Sequence, residues 1–144
     1  IVYSYHNRIC DEMEIKQIKQ FAKNHGMKLV TIGASQKWIS NMLVLNPFEV
    51  LYVFSKAGFV ITDTFHGTIF ASKYNGKFAT LLRESNNNKL SDLVDRLHIR
   101  DHVIPNFSCL EKAYIMPDTK DRVNDIVACE RTRTRDYLMK NFAR

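Results

Sequence analysis

Short β-branched or aromatic runs alternate with helical repeats along most of this chain, and that alternation constrains the fold more than any other feature. Residues 1–5 (IVYSY) read as a buried strand. Asp11, with Glu14 three residues on, is placed to cap a helix. In that helix Ile15, Ile18, Phe21 and Ala22 recur at helical spacing, and Gly26 supplies the stop. Residues 27–32 read as a second strand, ended by Gly33-Ala34-Ser35, whereas residues 36–45 fit either a short helix or a packed loop. Asn46 and Pro47 then start a helix that carries Leu51, Phe54 and Ala57 up to Gly58. Residues 59–62 predict a third strand, 65–74 a helix, Asn75-Gly76 a turn and 78–82 a fourth strand. A polar stretch from Arg83 leads into a helix with Leu90, Leu93, Val94 and Leu97 inside. Residues 102–104 make a short fifth strand, and Asp118 opens a long last helix striped by Val123, Ile126, Val127, Tyr137 and Leu138. Strands joined through helices must run parallel with helices on both faces. The expected fold is α/β: a Rossmann-like three-layer sandwich with a mostly parallel sheet of about five strands, spanning 1–144 as a single domain.

Composition narrows the class. A chain of 144 residues that is 45% apolar and 25% charged has the make-up of one globular domain, which excludes disordered and fibrous chains. No apolar run approaches the ~20 residues of a membrane span. The opening IVYSY is not a basic-then-apolar leader, so the expected location is cytoplasmic. A first residue other than Met is expected of a processed or excised piece. The three cysteines, Cys10, Cys109 and Cys129, lack zinc-like spacing and read as free thiols. The net charge is +6, but residues 131–144 hold five basic residues (Arg131, Arg133, Arg135, Lys140, Arg144) against Asp136, a local +4. The other 130 residues carry 16 basic and 14 acidic side chains. An excess confined to a terminal helix reads as a solvated face, so nucleic acid is not an expected partner.

In an open parallel sheet, ligands bind beyond the carboxyl ends of the strands. Those ends here are His6-Asn7-Arg8, then Gly33 and Ser35, then Asp63, Thr64 and His66, then Arg83 and Glu84. Two histidines and two arginines would converge there with the free N–H groups of a helix starting near Phe65, a combination suited to an anion. Gly67, directly after His66, either lets backbone approach a ligand or tightens the helix entry. Asp63 or Thr64 serves as the N-cap, and His66 is by itself equally readable as a satisfied helix-start histidine. No GxGxxG follows the first strand and there is no P-loop, which argues against those nucleotide-binding modes. His6, His25, His98 and His102 have no short-range partner at metal spacing, so no metal is expected.

The block Ala57-Gly58-Phe59-Val60-Ile61-Thr62-Asp63-Thr64-Phe65-His66-Gly67-Thr68-Ile69-Phe70 resembles the signature of the polysaccharide pyruvyl transferase family. Upstream, residues 46–51 (NPFEVL) are similar to the family's P-x-E helix. Downstream, residues 74–78 (YNGKF) resemble its N-K-P-F strand entry, residues 90–104 its L-G-L-x-x-R segment, and the closing helix its V-x-x-I-V…R…YL pattern. The resemblance implies a GT-B-like enzyme of two Rossmann-like domains, of which this chain is the C-terminal, donor-binding half and the N-terminal domain is missing. It implies transfer of a pyruvate ketal from phosphoenolpyruvate to hydroxyls of a saccharide acceptor in exopolysaccharide biosynthesis, without a cofactor. His66 is then the expected catalytic residue, and Thr64, Phe65, Gly67, Thr68, Arg83 and Arg8 are expected to hold the donor. The sequence departs from the pattern twice. Thr64 stands where many members have arginine, which removes one phosphate contact, and Phe78 follows Lys77 without the usual proline.

Two other readings stay open at this level. The domain could be the nucleotide-sugar half of a GT-B glycosyltransferase, with Glu84 or Asp92 gripping a ribose. It could also be a non-catalytic module that binds an anionic partner through Arg131–Arg135.

Overall fold

Three polar residues fix where the main helices begin, and the computed structural model, which describes residues 1–142, shows how. Asp11 accepts from the Glu14 amide at 2.9 Å and starts helix α1, Glu12–Asn24. Asn46 starts α2, Pro47–Lys56, with a full capping box: its side chain accepts from the Glu49 amide while the Glu49 carboxylate accepts from the Asn46 amide. Thr64 starts α3, Phe65–Phe70, which widens into a π-helical turn at Ala71–Asn75. The expected helix over 65–74 is thus one helix of two pitches. The remaining helices are α4 (Asn87–Arg96), α5 (Leu110–Tyr114) and α6 (Lys120–Phe142).

The strands are short: β1 Val2–Tyr3, β2 Thr31–Ile32, β3 Met42–Leu43, β4 Val60–Thr62, β5 Phe78–Leu81 and β6 Val103–Ile104. They form one sheet in the order β3-β2-β1-β4-β5-β6, every pair parallel. The expected Rossmann-like three-layer sandwich is what the chain forms. The sheet has six strands rather than about five, and it is entirely parallel. The additional strand, β3, lies inside residues 36–45, where a helix or loop was expected. Its two residues, exposed Met42 and half-buried Leu43, sit on the sheet edge, where too few neighbours exist to impose an alternating pattern. The five-residue α5 was likewise not expected.

Alternation along the central strands divides the core between two faces. Ile61, Ala79 and Leu81 join Ile18, Phe21, Phe107 and Leu110 on one side. Val60 and Phe78 join Phe54, Ala71, Val94 and Val123 on the other. Three buried aromatic side chains, Phe54, Phe78 and Phe107, are the largest pieces of this core. His102 is also fully buried: its ring stacks on Phe78 at 4.5 Å, between the carbonyls of Phe78 and Pro117.

The Asn75-Gly76 turn ties three elements. Gly76 has φ +82°, and an added Cβ would fall 1.7 Å from Asp118 Oδ1. The Asn75 amide donates to the carbonyls of Phe54 (2.9 Å) and Ala57 (2.6 Å), closing the end of α2. The last helix departs from expectation. Val123 is buried, but Tyr137 and Leu138 are exposed, so the apolar stripe serves the core only in the first half of α6. Arg131, Arg133 and Arg135 lie on the exposed half, and Arg144 lies outside the described residues. No helix among the described residues is long and apolar enough to cross a membrane.

Replacing Asn75 with Ala removes the donor to the Ala57 carbonyl and one of the two donors to the Phe54 carbonyl at the end of α2. A loss of about 1–3 kcal/mol in urea-unfolding stability is expected.

Candidate functional site

β1 and β4 are neighbours at the point where the strand order reverses. The chain beyond each turns to opposite sides, and the crevice between them is the position for a ligand in this architecture. The register pairs Tyr3 with Thr62, so Ser4 and Asp63 are the first residues beyond the strands. Asp63 is fully buried and its carboxylate organises the site. Ser4 Oγ donates to Oδ1 at 2.6 Å, Arg83 Nε donates to Oδ2 at 3.1 Å, and Arg8 Nε lies 3.4 Å from Oδ2. Arg83 turns its Nη1 and Nη2 to the two carboxylate oxygens of Glu14, at 2.8 and 3.0 Å. Partial burial would lower the Arg83 pKa, but the hydrogen bonds and charges of Glu14 and Asp63 outweigh it and hold the guanidinium above its ordinary range. Asn86 closes the cluster: its amide donates to the Asp63 carbonyl at 2.6 Å, and its oxygen accepts from the Arg83 amide at 3.1 Å.

Beyond Asp63 the chain is fixed by hydroxyls. Thr62 Oγ1 donates to the Tyr3 carbonyl and accepts from the Thr64 amide. Thr64 Oγ1 accepts from the Gly67 amide at 3.0 Å, which makes Thr64 rather than Asp63 the N-cap of α3. Thr68 Oγ1 donates to the Thr64 carbonyl, so its 2.7 Å contact with Thr80 receives the Thr80 proton. This arrangement leaves no room at Gly67. A Cβ there would lie 2.2 Å from Thr62 Oγ1 and 2.7 Å from both Thr64 Oγ1 and Tyr3 Cδ1. The glycine is required by close packing of the helix entry on β1 and β4.

His66 is exposed on the first turn of α3, with the rings of half-buried Phe65 and of Phe70 at 5.9 and 6.3 Å. Nothing among the described residues hydrogen-bonds its ring. The other expected site residues are positioned differently from their anticipated use. The Gly67 amide is taken by Thr64 Oγ1 and the Thr68 amide by the Thr64 carbonyl, so neither N–H faces a ligand. Arg8 and Arg83 do converge, but on Asp63, and the Arg83 fork is filled by protein carboxylates. Arg8 also reaches Ser85 and lies over the Tyr5 ring. Glu14, expected to reciprocate the Asp11 cap, spends its carboxylate on Arg83.

Ser4, Glu14 and Asn86 were not among the expected site residues, and Asp63 was expected only as a strand-end residue and N-cap candidate. Only the position of Asp63, a charged residue directly after a buried strand, marks it in the sequence. No group of three or more His, Cys, Asp or Glu side chains that could hold a metal occurs among the described residues. A groove of about 970 Å³ lies between α4 and α6, lined by Leu93, Leu97, Ile126, Val127 and Leu138. It holds none of the strand-end residues, so we place the site by topology and side-chain chemistry instead.

A parallel sheet of this order, flanked by helices and with polar side chains gathered at the reversal point, defines a Rossmann-like α/β fold. The model of the family "Polysaccharide pyruvyl transferase" matches residues 4–85, more than half of the sequence, and the chain belongs to that family. The matched segment runs from Ser4 to Ser85 and includes Asp63, His66 and Arg83. Neither the curated proteins nor the solved structures yield a match.

Gly67→Ala should force the Thr62–Thr64 hydroxyls and Tyr3 apart. A loss of about 1–3 kcal/mol in unfolding free energy is expected from denaturant melts, as for other overpacked sites. Asp63→Ala, which leaves Arg8 and Arg83 without their shared buried partner, should cost more, about 3–5 kcal/mol.

Proposed function

We propose that this chain is the donor-binding half of a two-domain, GT-B-like pyruvyl transferase that takes phosphoenolpyruvate as donor and a cell-surface polysaccharide precursor as acceptor. One observation carries the reading. Within the segment matched by the family, His66 is the exposed titratable side chain on the turn immediately beyond β4, at the strand-order reversal. Its backbone is held by the Thr64 cap and the packed Gly67, so the ring is presented from a rigid base.

The reaction needs a proton delivered to the methylene carbon of the enol, which becomes the methyl group of the ketal. The adjacent carbon becomes electrophilic and accepts one sugar hydroxyl. Loss of phosphate and attack by the second hydroxyl complete the ring. Of the two hydroxyl protons released, one replaces the proton given to carbon and the other leaves with phosphate. A histidine suits the first step because imidazolium is an acid near neutral pH and imidazole can recover the proton. Phe65 and Thr64 set the position of His66 in this scheme, Gly67 and Thr68 act through the fold of the turn, and Arg8 and Arg83 act through Asp63, which anchors the start of that turn. Phosphoenolpyruvate carries its own leaving group, so no cofactor enters.

NMR titration of the chain with phosphoenolpyruvate tests the proposal. At millimolar donor, the His66 ring and the Phe65 and His66 amides should shift, and His66→Ala should abolish saturable binding. Unmoved His66 signals at that concentration would reject donor binding by this half.

A further inference from the structure

A second polar cluster stands at the same sheet edge, on the β1–β2 side. Lys37 donates its amide to Asn7 Oδ1 at 3.0 Å, so it is the Asn7 NH₂ group that meets His6 Nε2 at 2.8 Å. Nε2 is therefore an acceptor, the ring proton sits on Nδ1, and Nδ1–H donates to Ser35 Oγ at 2.9 Å. Ser35 keeps its own hydroxyl proton to donate, together with a lone pair. Asn7 holds its place in the left-handed region, φ 46°, through its amide bond to the Ser35 carbonyl at 2.9 Å. That conformation is uncommon outside glycine and is maintained here by three hydrogen bonds of Asn7, to Ser35, Lys37 and His6. Next to it, Tyr5 is 60% exposed, with the Arg8 guanidinium 5.3 Å from its ring centre on one face.

The chemistry differs from that around His66. The His6–Asn7–Ser35 chain places no charge toward solvent. It offers an oriented hydroxyl that both donates and accepts, beside an exposed aromatic ring stiffened by a neighbouring cation. A sugar matches both features: its hydroxyls pair as donor and acceptor, and its C–H face covers an aromatic ring. Position agrees as well. The Ser4–Asp63 hydrogen bond carries the β1–β4 pairing one residue past the strands, so Tyr5 and His6 leave the sheet beside the turn that bears His66.

We propose that Tyr5, His6, Asn7 and Ser35 form a binding subsite for the saccharide acceptor, with the Tyr5 ring as stacking platform and the Ser35 hydroxyl as the oriented partner of a sugar hydroxyl. Assignment of the sugar as the acceptor rests on the pyruvyl-transfer reading above; binding of a neutral saccharide at these residues does not.

The experiment is an NMR titration of the chain with methyl β-D-galactopyranoside, methyl α-D-mannopyranoside and N-acetylglucosamine, with glycerol as a control for nonspecific polyol effects. At least one saccharide should move the amides of Tyr5–Arg8 and Ser35–Lys37 saturably, while glycerol should not. Tyr5→Ala and Ser35→Ala should each weaken that binding about tenfold, the scale of one aromatic or hydrogen-bonded contact, and Tyr5→Phe should retain it. The subsite is rejected if none of the three sugars moves these signals, or if Tyr5→Ala leaves affinity unchanged. Phosphoenolpyruvate is titrated separately into the same samples. Donor shifts at His66 without any saccharide effect would overturn the subsite and keep the donor reading. Saccharide shifts without donor shifts would do the reverse.

Discussion

A carboxylate shut away from water, as that of Asp63 is, persists as an anion only if positive groups and hydrogen-bond donors meet it at short range. Here those donors come from separate parts of the chain: Ser4 at the end of β1, Arg8 in the following loop, and Arg83 beyond β5. Arg83 in turn engages Glu14 on α1, and Asn86 binds the Asp63 carbonyl. Strands of only two to four residues supply few ladder bonds of their own. The loops at their carboxyl ends are therefore held in common by this one charge cluster, and the turn that carries His66 begins from it.

The same cluster explains why two arginines at strand ends do not amount to an open anion receptor. Each guanidinium satisfies protein acceptors first, and the charges of Arg8 and Arg83 are balanced by Asp63 and Glu14. Of the histidines and arginines at this edge, His66 is the one whose side chain has no hydrogen bond or ion pair among the described residues. The chain belongs to the polysaccharide pyruvyl transferase family, and under the proposed reading that exposed imidazole would serve as the acid that transfer of an enol-derived group calls for.

Much of the fold was legible. The caps at Asp11 and Asn46, the helix stop at Gly26 and the four longer apolar runs all carry local signals, because capping and turn chemistry are decided by a few consecutive residues. β3 was not legible, since an exposed edge pair has no hydrophobic alternation to show. The distal half of α6 misled in the opposite direction: Tyr137 and Leu138 continue a helical period, yet among the described residues nothing packs closely enough on them to bury them. At the site, His66 was readable from its motif. The partners of Asp63 were not, because they are separated by 20 to 59 residues in sequence and no spacing rule connects them.

What the sequence determined by itself was the succession of strands and helices, the parallel sense that this succession imposes, and the family to which the motif belongs. Those properties depend on local periodicity and on the reach of a crossover connection. Only the tertiary structure decided what each polar residue does at the strand ends. It made Gly67 a packing necessity, Arg83 a clamp on two carboxylates, and Asp63 the centre of the cluster. Such roles arise when burial removes water and leaves each charge and hydroxyl to find the nearest partner that the sheet brings beside it.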